Sequence, residues 1–359
     1  MQINELLRKM VERRASDLHL EVPSVPLFRI DGALVGTDEA TPLSPEDIEV
    51  IFEEITTPKQ RDAFQKQLEL DFAYSIPGLA RFRVNVLRQR GSLGIVFRLV
   101  PMKVFTIDEL GLPQICKDLS LKPRGLILVT GATGSGKSTT QAAMIDYLNE
   151  NSSRSIITIE DPIEYLHENK KCIISQREIG DDTLSISTAL KHALRHDPDV
   201  IVVGEMRDLD TIATAITAAE TGHLVLGTLH TVNAAQTIER IIDVFPANQQ
   251  TQIRLQLSQV IEAILSQVLL PRATGEGRVA AIEILIGTTA IRNLIRESRT
   301  HEIPSVMEIG VKDNMQTMAN VLVDLVKRNI ITREEAMNSA SNPEQLAKLL
   351  GRLSPAFMV

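Results

Sequence analysis

Residues 125–138 read GLILVTGATGSGKS. A short, nearly all-apolar run, Gly125 to Thr130, gives way to eight residues, Gly131 to Ser138, that fit GxxxxGK[ST] at every defined position. TTQAAMIDYL follows with helical spacing, so the stretch predicts strand, loop and helix in succession, the context in which this motif cradles phosphates. Gly134 and Gly136 permit positive φ and leave room for backbone to wrap an anion. The amide groups of Gly131, Ala132, Thr133, Gly134, Ser135, Gly136, Lys137, Ser138 and Thr139 then converge at a helix N-terminus, making these the candidate ATP-binding residues. Lys137 supplies a point charge to the β/γ-phosphates, and Ser138 offers its hydroxyl to Mg²⁺.

Downstream, SIITIE, VIVVGE and HLVLGTLH are short apolar runs separated by helical stretches. That pattern belongs to a parallel sheet buried on both faces, so the second domain is α/β and doubly wound. In such sheets ligands bind beyond the carboxyl ends of the strands. Polar residues at those ends are therefore candidate site residues. Glu160, Asp161 and Glu164 follow the first run, and one of these acids is placed to orient or deprotonate an attacking water. Glu205 follows the second, one residue after Gly204, which stands where many P-loop enzymes have Asp. It is read as holding Mg²⁺ through water or polarising the nucleophile. Thr228, His230 and Thr231 end the third and are candidate γ-phosphate sensors. His192 and His196 have the i, i+4 spacing that zinc can use, but no third ligand is identifiable, and ordinary helix-surface histidines are the better reading.

Upstream, residues 1–100 predict a smaller α+β domain. A helix opens it and ends near Ala15; SDLHLEV and PLFRIDGALV alternate as strands around a turn at Asp31-Gly32. SPEDIEVIFEEI has a Ser44 cap and Pro45 at the first helical position, and TPKQRDAFQKQLEL reads as another helix. RFRVNVLRQ and SLGIVFRLV alternate around Arg90-Gly91. Between Arg81 and Arg98 stand Arg81, Arg83, Arg88, Arg90 and Arg98 with no acid among them. They are either a basic sheet edge or a source of arginine fingers for the γ-phosphate. Residues 101–115 are expected to link the domains, and 116–359 to form the ATPase domain with a helix-rich tail from about Ile291.

Composition narrows the function. The net charge of −8, the absence of Trp and an aromatic content of 3% disfavour a nucleic-acid motor, which wants a basic, aromatic-lined channel. The two cysteines, Cys116 and Cys172, form no CxxC and suit a reducing compartment. The N-terminus has no signal-peptide core, and no run approaches the ~18 apolar residues that span a bilayer, so a cytoplasmic chain reaching the membrane only through partners is expected.

GATGSGKST, TIEDPIE, VIVVGEMRD and TGHLVLGTLHT resemble, in order, the Walker A, Asp box, Walker B and His box of the type II/IV secretion ATPase superfamily. SDLHLEV and RFRVNV extend the resemblance through the first domain. The family implies a RecA-like P-loop NTPase domain preceded by a PAS-like domain, ATP and Mg²⁺ as cofactors, and a homohexameric ring. Residues 290–297, AIRNLIRE, form a short amphipathic helix with Ile291, Leu294 and Ile295 on one face and a cap at Thr288 or Thr289. This stretch, Ala290, Ile291, Arg292, Asn293, Leu294, Ile295, Arg296 and Glu297, is similar to the signature helix of the pilus-retraction branch. The absence of a four-cysteine zinc module and of a longer N-terminal extension agrees with that branch.

The resemblance implies Glu164 as general base, Glu205 as support for metal and water, and His230 as nucleotide sensor. It also implies that arginines near Arg81 and Arg83 close over the phosphates. Its implied partners are further copies of the chain, an inner-membrane pilus platform protein and a retraction paralog, with no nucleic acid. The alternatives are an assembly or secretion ATPase of the same superfamily, or a non-retracting accessory paralog.

Overall fold

Apolar residues at alternating positions build the first of two units. In the computed structural model, which describes residues 2–37, 41–101 and 103–351, these units are Met1–Lys103 with Glu164–Leu166, and Val104–Ile163 with His167–Val359. Residue 102 of the expected linker and residues 352–359 of the expected tail lie outside the described residues.

The first unit runs α1 (Ile3–Glu12), β1 (Asp17–Glu21), β2 (Leu27–Ile30), β3 (Ala33–Gly36), α2 (Pro45–Ile55), α3 (Pro58–Gln67), β4 (Glu69–Ile76), β5 (Ala80–Gln89) and β6 (Ser92–Leu99). Its strands make one antiparallel sheet in the order β3-β2-β1-β6-β5-β4. The hairpins β2–β3 and β5–β6 turn on Asp31-Gly32 (φ 49° and 85°) and Arg90-Gly91 (φ 46° and 86°). Two consecutive left-handed residues give the turn whose twist matches the flanking strands. Ser44 and Thr57 cap α2 and α3 through reciprocal capping boxes with Asp47 and Gln60. Phe28, Phe82 and Phe97 are fully buried with Ile3, Leu6, Leu7 and Met10 of α1.

One expected helix forms but ends early. The helix read over TPKQRDAFQKQLEL stops at Gln67, where Leu68 turns left-handed (φ 63°), and Glu69 begins a strand paired with β5 along its length. Leu70, Phe72, Tyr74 and Ile76 alternate, and tertiary pairing overrides the weak helical pattern of the first few residues.

The second unit runs α4 (Ile115–Ser120), β7 (Gly125–Thr130), α5 (Lys137–Asn151), β8 (Ser155–Glu160), β9 (Ile173–Glu178), α6 (Ile186–Ala193), β10 (Val200–Val203), α7 (Leu209–Glu220), β11 (Leu224–Leu229), α8 (Ala234–Asp243), α9 (Ala247–Val260), β12 (Ile261–Pro271) and β13 (Arg278–Ile286). Five helices follow: α10 (Thr289–Arg296), α11 (Ile303–Ile309), α12 (Met318–Lys327), α13 (Arg333–Ser339) and α14 (Pro343–Gly351). The strand order is β13-β12-β7-β11-β10-β8-β9, parallel throughout except for the antiparallel β12–β13 pair.

β7, β10 and β11 are buried at every position. Their residues alternate between two cores: Leu126, Leu128, Ile201, Val203 and Val225 join α6 to α10, whereas Ile127, Val129, Val200, Val202, Leu224 and Leu226 join α4 and α5. Helices on both faces explain the unbroken apolar runs. Ile107 and Leu112, within the stretch expected as linker, are buried with the second of these cores. The two histidines of the i, i+4 pair part company: α6 ends at Ala193, so His196 lies beyond it. Among the described residues no group of three His, Cys, Asp or Glu is placed to hold a metal, and no helix is long and apolar enough to cross a membrane.

Burial lowers the His167 imidazole to about 4. Between pH 6.5 and 4 the unfolded chain therefore binds a proton that the folded chain does not. The contribution is complete above pH 6.5 and is lost as the pH falls towards 4, to a total of about 3 kcal/mol. Urea midpoints should accordingly fall less steeply over this window in His167→Leu than in the parent chain.

Candidate nucleotide site

The loop after β7 closes on itself. Gly131, Gly134 and Gly136 have φ of 143°, 77° and 86°, so positions 134 and 136 take the left-handed conformation expected of them. Gly136 is the N-cap of α5, and Lys137 starts the helix. The Lys137 ammonium is buried and donates to the carbonyls of Gly131 (2.9 Å) and Ala132 (3.0 Å), holding the loop in a ring around its own charge. Ser138 and Thr139 are half-buried in the first turn. Convergent amides, one cation and a helix N-terminus fit a nucleoside polyphosphate. The set also fits Mg²⁺ held by one hydroxyl and the phosphates rather than by a protein cage.

Glu205 stands just past β10. Burial works against its charge, but Arg207 Nη2 donates to it at 2.6 Å and His230 Nε2 lies 3.2 Å away, and together these hold the carboxyl below the usual glutamate range. Asp161 adds to the attraction on Arg207. Gly204 has a steric reason: a Cβ there would meet the Ile159 carbonyl oxygen at 3.1 Å and Glu160 Cα at 3.3 Å. An aspartate at that position would press on β8, so the acid arrives one residue later. Thr228 donates to the Gly204 carbonyl, and Met206 N donates to Thr228 O at 3.0 Å. The ends of β10 and β11, with Glu205 and His230, are thereby tied together. Glu160 is held within the sheet by Thr158 (2.6 Å) and Gln176 (3.0 Å).

Three further candidates, Glu164, Arg81 and Arg83, fall in the first unit. Glu164 groups there with Tyr165 and Leu166. Arg81 and Arg83 lie on the outward face of β5, alternating with buried Ala80, Phe82 and Val84; Arg83 is 3.9 Å from Asp71. Arg98 is committed elsewhere, donating to the buried Asp17 at 2.7 Å, with Arg29 on Asp17's other side at 3.8 Å. Sequence reading missed two site residues, Ser266 and Gln267 on β12. Ser266 Oγ accepts from Thr130 at 2.9 Å, and Gln267 contacts the loop itself. Nothing local marks them, because β12 continues directly from α9 with no Gly or Pro between.

The model of the type II/IV secretion system protein family matches residues 1–348. The chain belongs to that family. It is 51% identical over 344 residues to the type IV pilus retraction ATPase PilT of Pseudomonas aeruginosa, covering 96% of this chain and 99% of that one. A twitching motility protein of Neisseria gonorrhoeae is 47% identical over 324 residues, covering 90% and 86%. A crystal structure of the pilus retraction motor PilT with bound ADP superposes with a TM-score of 0.91 at 48% identity, covering 97% of this chain and 99% of that one. This secretion-family chain is thus an ATPase with a nucleotide site.

In this family member AIRNLIRE forms α10, capped by Thr288, whose side chain accepts from Ile291 N. Ile291, Leu294 and Ile295 are buried beside Ile253 and Leu257 of α9. Arg292 turns inward. Its guanidinium donates to the carbonyls of Gly287 (2.7 Å), Ser258 (3.0 Å) and Gln259, and pairs with Glu262 at 2.7 Å. It thereby supplies the last carbonyls of α9 with donors they otherwise lack. Gly287 has no room for a Cβ, which would sit 2.0 Å from the Ile261 carbonyl. Ala290, Arg296 and Glu297 are exposed; Arg296 donates to Asn293 Oδ1, and Glu297 accepts from Arg299 at 3.1 Å.

Proposed function

We propose that this chain is the motor of type IV pilus retraction, turning ATP hydrolysis into removal of pilin subunits. The observation that carries it is the end-to-end likeness to PilT, at 51% identity over 96% of the chain, with AIRNLIRE intact. Six copies form a ring that works on an inner-membrane platform protein, alongside a retraction paralog where one is present. The chain acts at the cytoplasmic face and meets the membrane only through these partners.

In this reading residues 131–139 take the triphosphate. Lys137 exchanges its two loop carbonyls for β/γ-phosphate oxygens, and Ser138 would hold Mg²⁺, which would neutralise the phosphate charge. Glu205, kept ionised by Arg207 and His230, would support Mg²⁺ through water or polarise the attacking water. Glu164, in the loop after β8, takes the proton of the attacking water. Arg81 and Arg83 supply positive charge from the N-terminal domain (residues 1–100, linked through 101–115 to the ATPase domain 116–359). His230, bonded to Glu205, reports loss of the γ-phosphate through the end of β11.

The test is a count of surface pili in the source organism with this gene deleted. Excess pili that no longer shorten are expected. Bald cells would assign the chain to assembly, and an unchanged count would leave it an accessory copy.

A further inference from the structure

Gln267 lies on β12, one residue past the Ser266–Thr130 pair, level with the start of the phosphate loop. Its side chain is 4% exposed, so both ends of the amide need partners. They have them: Nε2 donates to the Ser135 carbonyl at 2.6 Å, and Oε1 accepts from Thr140 Oγ1 at 2.9 Å. Thr140 belongs to the first turns of α5, so one side chain grips the loop and the helix it feeds. The backbone also closes in here. A Cβ on Gly131 would meet the Gln267 carbonyl at 2.3 Å, and one on Gly136 would meet Nε2 at 3.1 Å. β12 is the wall behind the loop.

We infer that Gln267 is a positioning residue for phosphate binding, fixing the Ser135–Gly136 peptide plane so that the Gly136 N–H faces the ligand. The inference rests on the nucleotide reading above and follows from peptide geometry. In a trans peptide the carbonyl and the next N–H point in opposite directions. Drawing the Ser135 carbonyl onto β12 sends the Gly136 N–H away from it, into the mouth of the loop. The Ser135 carbonyl sets the sense of the amide: it can only accept, so Nε2 faces it, and Oε1 is left to accept from the Thr140 hydroxyl, which steadies the amide in that sense. A hydrophobic residue of the same length would fill the space but leave the Ser135 carbonyl unpaired and the plane free to turn.

The variants are Gln267→Met, which keeps the volume, Thr140→Val, and the two combined, each measured by fluorescent-ADP binding, KM for ATP and kcat. Gln267→Met should weaken ADP and raise KM about tenfold, with a smaller change in kcat and no more than the modest fall in melting temperature that one unpaired carbonyl costs. Thr140→Val should move the same quantities less. The double variant should be no worse than Gln267→Met, because Thr140 acts through the amide. ADP affinity and KM at parent values in Gln267→Met, or full additivity of the pair, would overturn the inference. A general loss of stability that tracks the loss of binding would also overturn it, since the residue would then be a packing element. A parent chain that binds no ADP would sink the nucleotide reading instead.

Discussion

Glu205→Gln should bind ADP as the parent does and hydrolyse ATP about 10²–10⁴-fold more slowly. The separation follows from where the charges sit. In the proposed reading affinity belongs to the loop of residues 131–139, where Lys137 is bonded to the Gly131 and Ala132 carbonyls, and the substitution touches none of these residues. Glutamine keeps the size of glutamate and an acceptor for Arg207, so the end of β10 should stay in place. What disappears is the negative charge that Arg207 and His230 preserve against burial. A water held by a neutral amide is neither polarised nor oriented towards an anion in the same way. Rapid-quench turnover beside equilibrium ADP binding measures both quantities in one preparation. Equal losses in binding and turnover would make Glu205 a prop for β10 and β11 and remove it from the chemistry.

The contrast between Glu205 and Gln267 explains how much of the site was legible in the sequence. The phosphate loop is contiguous, so residues 131–138 declare themselves through local spacing alone. The four central strands declare themselves because sheets covered on both faces need unbroken apolar runs, and Glu205 and His230 inherit their places from the strand ends. Gln267 reaches Ser135 across 132 residues of chain through the β7–β12 pairing, and nothing in LSQVLLP distinguishes such a strand from the helix before it. The edge strands β4 and β9 carry mixed polar patterns for the same reason that they stand at edges. The arginine run was legible as a cluster but not as a set of roles. Arg98 is spoken for by Asp17, 81 residues earlier, whereas Arg81 and Arg83 alternate with the buried residues of β5 and Arg83 lies 3.9 Å from Asp71. Periodicity placed Ile291, Leu294 and Ile295 on the buried face of AIRNLIRE but set both arginines away from it, and Arg292 instead turns inward. Only the position of the α9 C-terminus separates them.

That separation carries the other large effect. Arg296→Ala should abolish pilus retraction while ATP hydrolysis by the purified chain stays within about twofold of the parent, the range expected of a surface change away from the site. Arg296 is exposed, and its bond to Asn293 stays within α10, so its removal leaves no buried group unpaired and no core residue displaced. A residue with so little to do in the isolated fold is free to act on another chain. Arg292→Ala is the informative control. It strips donors from the Gly287, Ser258 and Gln259 carbonyls and leaves Lys122, 3.0 Å away, as the remaining cation on Glu262. That variant should lose ~2 kcal/mol of stability, read as a lower melting temperature, and retraction should fall with the amount of folded protein. Twitching zones and pilus counts, set beside melting curves and ATPase rates, place each variant. If Arg296→Ala melts early or loses hydrolysis in step with retraction, α10 is a structural helix in its whole length. If only retraction goes, the exposed end of α10 is where hydrolysis is delivered to the pilus machinery, and the inward end is what holds that surface to α9.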